Sequence, residues 1–369
     1  MHKIVISGYY GFNNIGDESI LKAVVDNLRE RLTGIDITVL SQNPASTAEK
    51  YKVHSVDRKS IRAIVSAVKN CDLLISGGGS LLQDVSSKKS IIYYLAIMWI
   101  AKFLGKKIFI YSQGIGPIST KFNRIMTAMT LKMADGIVVR DEASKELLVE
   151  IGINEEDIHV TADPVLRIKK ADLSKGLEIL KREGFVEDKA RLAVGWAIRE
   201  RKTEGNFVDE LCDSMNALYD KYHAQNILIP FHYSEDMAVI LKLKERLGDK
   251  VTCIEHKYLT DEMLSIIGNM DILVGVRLHS IIHAAIMGVP MIAISYDPKI
   301  NSFMHSMNMK AMCSVYDFKS EFFMEEFEKT LKNAESIKAK VKKEIDVLIY
   351  KLNQNEDLIK ELLDKGSKK

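Results

Sequence analysis

Short apolar runs alternate with longer amphipathic stretches along most of the chain. Ile4–Ser7 reads as a strand, and a Gly/Asn-rich loop leads from it to a helix over Asp17–Leu32. Asp36–Leu40 is a strand, Ile61–Lys69 a helix, and Asp72–Ser76 a strand that runs into Gly77–Gly78–Gly79. An apolar helix follows, then strand Lys107–Ser112, helix Lys121–Ala134 and strand Gly136–Val139. Ala162–Val165 closes this half, and the charged stretch Lys169–Lys189 includes a linker. The pattern restarts with strands at Arg191–Trp196, Asn226–Pro230, Val251–Ile254, Asp271–Val274 and Met291–Ser295. Helices at Asn206–Lys221, Ser234–Leu247, Asp261–Asn269 and His279–Met287 separate them. Phe322–Leu363 is helical and rich in Lys and Glu. Strand-loop-helix alternation predicts parallel sheets with helices on both faces, joined by right-handed crossovers.

The expected organisation is a first α/β domain over 1–168, a linker region over 169–190, a second α/β domain over 191–320 and a helical segment over 321–369. A chain of 369 residues with 47% hydrophobic residues is long enough for two cores. Net charge is only +2, so no basic field points to nucleic acid. Cys71, Cys212, Cys253 and Cys313 are widely spaced with no CxxC pair, which fits a reducing cytoplasm. No signal-peptide pattern opens the sequence. The longest apolar run, Ile91–Ala101, is too short for a bilayer, which needs about 20 residues. Lys88, Lys89, Lys102, Lys106 and Lys107 flank it, and Tyr93, Tyr94 and Trp99 lie within it. It reads either as a buried helix or as a helix resting on a membrane surface.

Gly275–Val276–Arg277–Leu278–His279–Ser280 carries the sharpest chemistry. It joins a strand to a helix, so free N–H groups and the positive end of the helix dipole meet an arginine and a histidine. An anion, with a titratable group beside it, is expected there. Lys299 follows strand Met291–Ser295 and is placed either to reach this turn or to stay in solvent. His279 and His283 share a helix face, but no HExxH motif accompanies them, and no metal site is expected.

Other strand ends are rich in glycine and small polar residues. In Gly8–Glu18, Asn14 and Asp17 either cap the next helix or contact a ligand. The loop is neither GxGxxG nor a P-loop. Gly77–Asp84 offers a backbone nest for an anion or a sugar, with Gly78, Gly79, Ser80 and Asp84 as contacts. Gln113 heads Gln113–Pro117 and is expected to face a cleft. Arg140 needs an anionic partner, either a ligand or Asp141. Arg199 and His232 stand at strand ends of the second half beside Trp196 and Phe231, a mixture of aromatic and polar groups that suits a sugar.

At these residues the chain resembles the polysaccharide pyruvyl transferase family, most closely its CsaB-type members. The resemblance rests on Gly8–Glu18 with Ile20–Leu21, Gly77–Asp84, Gln113–Pro117, Val139–Asp141, Ala162–Val165, Arg277–Ser280 and Ser295–Lys299, in the family order. It covers residues 1–320 and implies a GT-B-like fold, two Rossmann-like domains whose parallel sheets face a central cleft. It implies phosphoenolpyruvate as donor and no tightly bound cofactor. The acceptor would be an N-acetylmannosamine of a lipid-linked secondary cell-wall polysaccharide precursor, and the pyruvylated polymer would anchor surface-layer proteins. Arg140, His279 and Lys299 match positions with catalytic or donor-binding roles. Arg277 and Ser280 belong to the same donor motif. Asn14, Asp17, Gly78, Gly79, Ser80, Asp84, Gln113, Arg199 and His232 are the acceptor-side candidates. A cytoplasmic enzyme touching the inner face of the membrane follows from a lipid-borne acceptor. Two other functions compete: a GT-B glycosyltransferase with a nucleotide-sugar donor, and a non-catalytic glycan-binding protein.

Overall fold

The computed structural model describes residues 1–85, 89–199 and 205–366. Two compact units divide the chain, Met1–Ile168 with Leu348–Lys369, and Lys169–Val347.

The first unit runs β1 (His2–Ser7), α1 (Ile15–Arg31), β2 (Ile35–Ser41), α2 (Pro44–Tyr51), β3 (His54–Asp57), α3 (Ile61–Lys69), β4 (Leu73–Ser76) and β5 (Gly79–Leu82). It continues with α4 (Ser90–Phe103), β6 (Lys107–Ile115), α5 (Lys121–Leu131), β7 (Gly136–Val139), α6 (Glu142–Glu150) and β8 (Ile158–Val160). The sheet order is β3-β2-β1-β4-β6-β7-β8, with β5 also paired to β6. Every pairing is parallel. The central strands are buried on both faces, which is why they read as unbroken apolar runs. Short polar side chains start the helices: Asn14 Oδ1 accepts from Gly16 N at 3.1 Å, and Ser60 and Asp141 cap α3 and α6. Strand order reverses between β1 and β4, so the loops after those strands diverge and leave a crevice at their carboxyl ends.

The second unit begins with α7 (Leu173–Arg182), a helix inside the stretch expected as a linker. Then come β9 (Ala193–Ala197), α8 (Phe207–Tyr222), β10 (Gln225–Leu228), α9 (Tyr233–Leu247), β11 (Val251–Cys253), α10 (Thr260–Gly268), β12 (Ile272–Gly275) and α11 (Leu278–Met287). β13 (Met291–Ser295), α12 (Pro298–Ser306), β14 (Cys313–Ser314), α13 (Ser320–Lys332) and α14 (Ala334–Gly366) complete the chain. The sheet order is β11-β10-β9-β12-β13-β14, again parallel, with the reversal between β9 and β12. Ile198–Arg199 and Val276–Arg277 therefore leave the sheet at its switch point.

The C-terminal helices do not lie loosely on the surface. Phe323 and Phe327 of α13 are fully buried in the second unit's core, where Phe323 meets Trp196 at 5.1 Å between ring centroids. From Leu348 onward α14 belongs to the first unit, where Glu356 accepts from Arg167 at 2.8 Å and from the Tyr111 hydroxyl.

α4 is a core helix. Ile91, Tyr94, Leu95, Ile97, Met98 and Ala101 are buried, Tyr93 donates to the Arg58 carbonyl at 2.8 Å, and Trp99 donates to Thr130 Oγ1 at 3.0 Å. Of the aromatic side chains expected to meet lipid headgroups, Tyr94 is buried, and Tyr93 and Trp99 are partly buried and hydrogen-bonded within the unit. Lys88, one of the flanking lysines, lies outside the described residues. Among the described residues no helix is long and apolar enough to cross a membrane.

Candidate functional site

In the second unit the switch-point loops bring together residues far apart in sequence. Arg277 is the N-cap of α11 but gives no side-chain cap. Its guanidinium turns instead to the start of α9. Nε and Nη2 both donate to Asp236 Oδ1, Nε at 3.2 Å, and Nη2 also reaches Glu235 Oε2 at 3.0 Å. Asp236 is fully buried, and its other oxygen accepts from the backbone N–H groups of Phe231 and His232 at 3.0 and 2.8 Å. Arg277 thus ties the β12–α11 turn to the loop after β10. Arg277, expected from the donor motif to bind the donor, has its charge already met by these carboxylates. Burial weakens the charged form of Arg277, but Asp236 more than compensates and its pKa is raised.

Arg199, His232, Tyr296 and Lys299 gather at the same loops. Arg199 Nη1 donates to the Tyr296 hydroxyl at 3.1 Å, and Nη2 lies 3.4 Å from Glu235. His232 Nδ1 is 3.1 Å from Glu235 Oε1. Glu235 is held well below the usual carboxylate range, first by the hydrogen bond from His232 and then by Arg277. Lys299 Nζ is 3.4 Å from Asp297 and lies 5.5 Å from the Tyr296 ring centroid. Burial pushes the Tyr296 phenol up, but Lys299, Arg199 and Arg277 around it bring its pKa down. Lys299 and Arg199 each keep about a quarter of their side chains exposed, and among the described residues each has its carboxylate partner at 3.4 Å.

His279 occupies the first turn of α11 and is half-buried, whereas Ser280 is buried and donates from Oγ to the Arg277 carbonyl at 2.6 Å. Ser280 therefore shapes the turn. His283, one turn on, is fully buried against Phe231 at 5.4 Å, and burial pushes its imidazole down to about 3. The His279/His283 pair is thus a half-buried ring, with its Nε2 shut off from solvent, beside a core ring. Among the described residues no group of three His, Cys, Asp or Glu side chains is arranged to hold a metal ion.

The first-unit candidates have mostly structural partners. Asp84 is 3% exposed and accepts four hydrogen bonds, from Ser119 N and Oγ, Thr120 N and Asn123 Nδ2, between 2.7 and 3.1 Å. Burial alone would raise its pKa, but these bonds bring it well below the normal value. This carboxylate pins the turn into α5 and is not an acceptor contact. Gln113 is fully buried in β6, paired beside Gly79 of β5, and donates to the Gly77 carbonyl at 3.0 Å, so it does not face an open space. Gly78 is buried too, and a Cβ there would press on Ile20 and Pro164. Gly79 has φ +95°, which favours glycine. Asn14 caps α1, and Asp17 Oδ1 lies near Gly79. Arg140 lies against Gly114 and spans Asp141 at 3.2 Å, Asp163 at 3.5 Å and Ser80 Oγ at 3.1 Å. Sequence reasoning missed Asp236, Glu235 and Tyr296 as the partners that organise the second-unit loops. The signal was an acidic pair after the β10 strand end, without any indication of its mate.

Two parallel α/β sheets, each with a switch point at its carboxyl end, define the GT-B-like class. The fold is similar to that of Anabaena Alr3699/HepE, solved with UDP and glucose: 12% identity, 99% of this chain, 100% of that chain and a TM-score of 0.67. UDP-GlcNAc 2-epimerase from Neisseria meningitidis, solved bound to UDP-GlcNAc, is similar over 99% of this chain and 100% of that one, with 15% identity and a TM-score of 0.63. Within the class, the polysaccharide pyruvyl transferase family model matches residues 14–298, and the chain belongs to that family. The amylovoran biosynthesis protein AmsJ of Erwinia amylovora is 21% identical over 378 residues, covering 85% of this chain and 88% of that protein.

Proposed function

We propose that the chain transfers pyruvate from phosphoenolpyruvate onto two hydroxyls of a sugar in a polysaccharide precursor, forming a cyclic ketal and releasing phosphate. The observation that carries this reading is the start of α11. A helix with no side-chain cap, a half-buried His279 and two cations, Arg199 and Lys299, stand on the loops at the carboxyl end of one sheet. Unmet N–H groups at a helix start favour a phosphate or carboxylate. Lys299 and Arg199 add charge, and Arg277, locked onto Asp236, fixes the turn that presents them. Arg140, in the first unit, acts in this reading through the Ser80 loop it holds.

The proton balance is simple. Two acceptor hydroxyls each lose a proton as their oxygens bond to the central carbon of the donor. One proton ends on the methylene carbon, which becomes methyl, and the other leaves with phosphate. His279 is the proton carrier, a role suited to imidazole near neutral pH. No bound metal is invoked, because side chains and the helix start meet the donor's charge. The finer reading follows the CsaB-type resemblance: an N-acetylmannosamine acceptor on a lipid carrier, met at the cytoplasmic face of a membrane. The test is phosphate release by the purified chain with each donor in turn. Release that requires both phosphoenolpyruvate and a glycan acceptor supports the reading. Release of UDP from UDP-glucose, with phosphoenolpyruvate inert, replaces it with a glycosyltransferase.

A further inference from the structure

Arg58 follows β3 in the first unit and is 9% exposed. Among the described residues it forms no ion pair with a carboxylate. Its hydrogen bonds go to neutral groups: Nη1 donates to the Gly8 carbonyl at 3.1 Å and Nη2 to the Tyr94 hydroxyl at 3.4 Å. Aromatic rings surround the guanidinium. The Tyr93 centroid is 4.5 Å from Cζ, Phe12 5.1 Å, Tyr94 5.6 Å and Tyr9 5.9 Å. Tyr9 and Phe12 are stacked at 3.9 Å, and with Tyr93 they are only partly buried. Cation–π attraction offsets part of the cost of removing the charge from water. It leaves the positive charge uncancelled, and the hydrogen bonds to Gly8 and Tyr94 use two of the five guanidinium N–H groups.

A nine-tenths buried cation in a cage of partly exposed rings fits a ligand with two parts. The guanidinium takes an oxyanion in a two-point fork, and the rings take the CH face of a sugar. The cage lies beneath the Gly8–Asp17 loop at the carboxyl end of β1. We propose that Arg58, Tyr9, Phe12 and Tyr93 form an anion subsite for an acidic saccharide, the oxyanion being either a sugar carboxylate or the diphosphate that joins a glycan to its carrier. That the saccharide is the pyruvyl acceptor rests on the function proposed above; the subsite itself does not.

Calorimetric titration of the full chain with methyl glucuronide, its neutral twin methyl glucoside and inorganic pyrophosphate tests this. At least one anion is expected to bind, with the glucoside about tenfold weaker or more. Binding of the glucuronide alone identifies a sugar carboxylate as the source, and binding of pyrophosphate alone identifies a carrier diphosphate. Arg58→Lys keeps the charge but loses the fork, and should weaken the bound anion about tenfold with an unchanged melting temperature. If Arg58→Lys does not fold, Tyr9→Ala is read instead, with severalfold weaker anion binding expected. Absence of anion binding in the wild type, or unchanged binding in the folded variant, overturns the subsite. Phosphate release from phosphoenolpyruvate is assayed separately. Its failure alongside Arg58-dependent binding would remove the pyruvyl-transfer reading and leave the subsite standing.

Discussion

Replacing Asp236 by Asn should show how much of the second unit's site depends on one buried carboxylate. In the wild type one oxygen of Asp236 holds two backbone N–H groups and the other takes two donors from Arg277. An amide can serve only one of these pairs as an acceptor. With its oxygen on the backbone, its NH2 group faces the guanidinium donor to donor. Breaking a buried ion pair from one side costs about 3–5 kcal/mol. Glu235 remains 3.0 Å from Nη2 and retains part of the charge compensation, so about 2–4 kcal/mol is expected. Glu235→Gln is the control: its side chain is 45% exposed, and exposed pairs contribute about 0–1 kcal/mol. Thermal unfolding read by tryptophan fluorescence in a Trp99→Phe background reports Trp196, in the second unit's core, and avoids assuming that both units melt together. At about 2–4 °C per kcal/mol, Asp236→Asn should lower that transition by about 5–15 °C. Equal, small shifts for the two variants would refute the account of Arg277 as a buried brace.

His279→Gln should melt like the wild type and lose about 10²–10⁴-fold in kcat; a folded variant keeping more than roughly a tenth of the rate ends the proton-carrier role. Arg277→Lys should reduce both stability and turnover, because an ammonium cannot span Asp236 and Glu235 as the fork does; wild-type melting and rate together would contradict this. For His283 the folded pKa, about 3, lies below the unfolded value of about 6.5, so the unfolded chain binds the extra proton between them. That contribution to stability is complete above about pH 6.5 and falls by about 1.4 kcal/mol per unit below it. His283→Met should flatten the decline between pH 6 and 4.5, and an unchanged slope in urea titrations rejects the assignment. Asp84 has a depressed pKa, so its contribution is present above about pH 4 and is lost on further acidification. Asp84→Asn should cost about 2–4 kcal/mol at pH 7 without raising the acceptor KM, whereas a raised KM with normal stability would restore Asp84 to the acceptor site.

Much of the architecture was legible because parallel strands buried on both faces leave continuous apolar runs, as at Leu73–Ser76 and Ile272–Gly275. β3 was not, since His54–Ser55–Val56–Asp57 has a single strongly apolar residue and lies at the sheet edge. The site divides along the same line. Strand-to-helix turns announce themselves locally, and Arg277–Ser280 was found that way. Contacts across the fold do not. Arg277 and Asp236 are 41 residues apart, and Asp84 reaches Ser119 over 35 residues. A carboxylate or amide at a glycine-rich strand end looks the same in sequence whether it faces substrate or is saturated by its own backbone. Arg58 went unnoticed because its significance lies in what surrounds it: rings from the β1 loop and from α4 that only the fold assembles.

The most direct test of the proposed activity follows the carbon atoms of the donor. The purified chain is incubated with phosphoenolpyruvate labelled with ¹³C at its central carbon and with an N-acetylmannosamine-containing acceptor, and the product is examined by NMR. The account predicts that the label moves into a ketal carbon bonded to two sugar oxygens, in step with phosphate release, and that His279→Gln abolishes both. Phosphate release that leaves the label in free pyruvate, or a sugar product formed only from a nucleotide sugar, would contradict it.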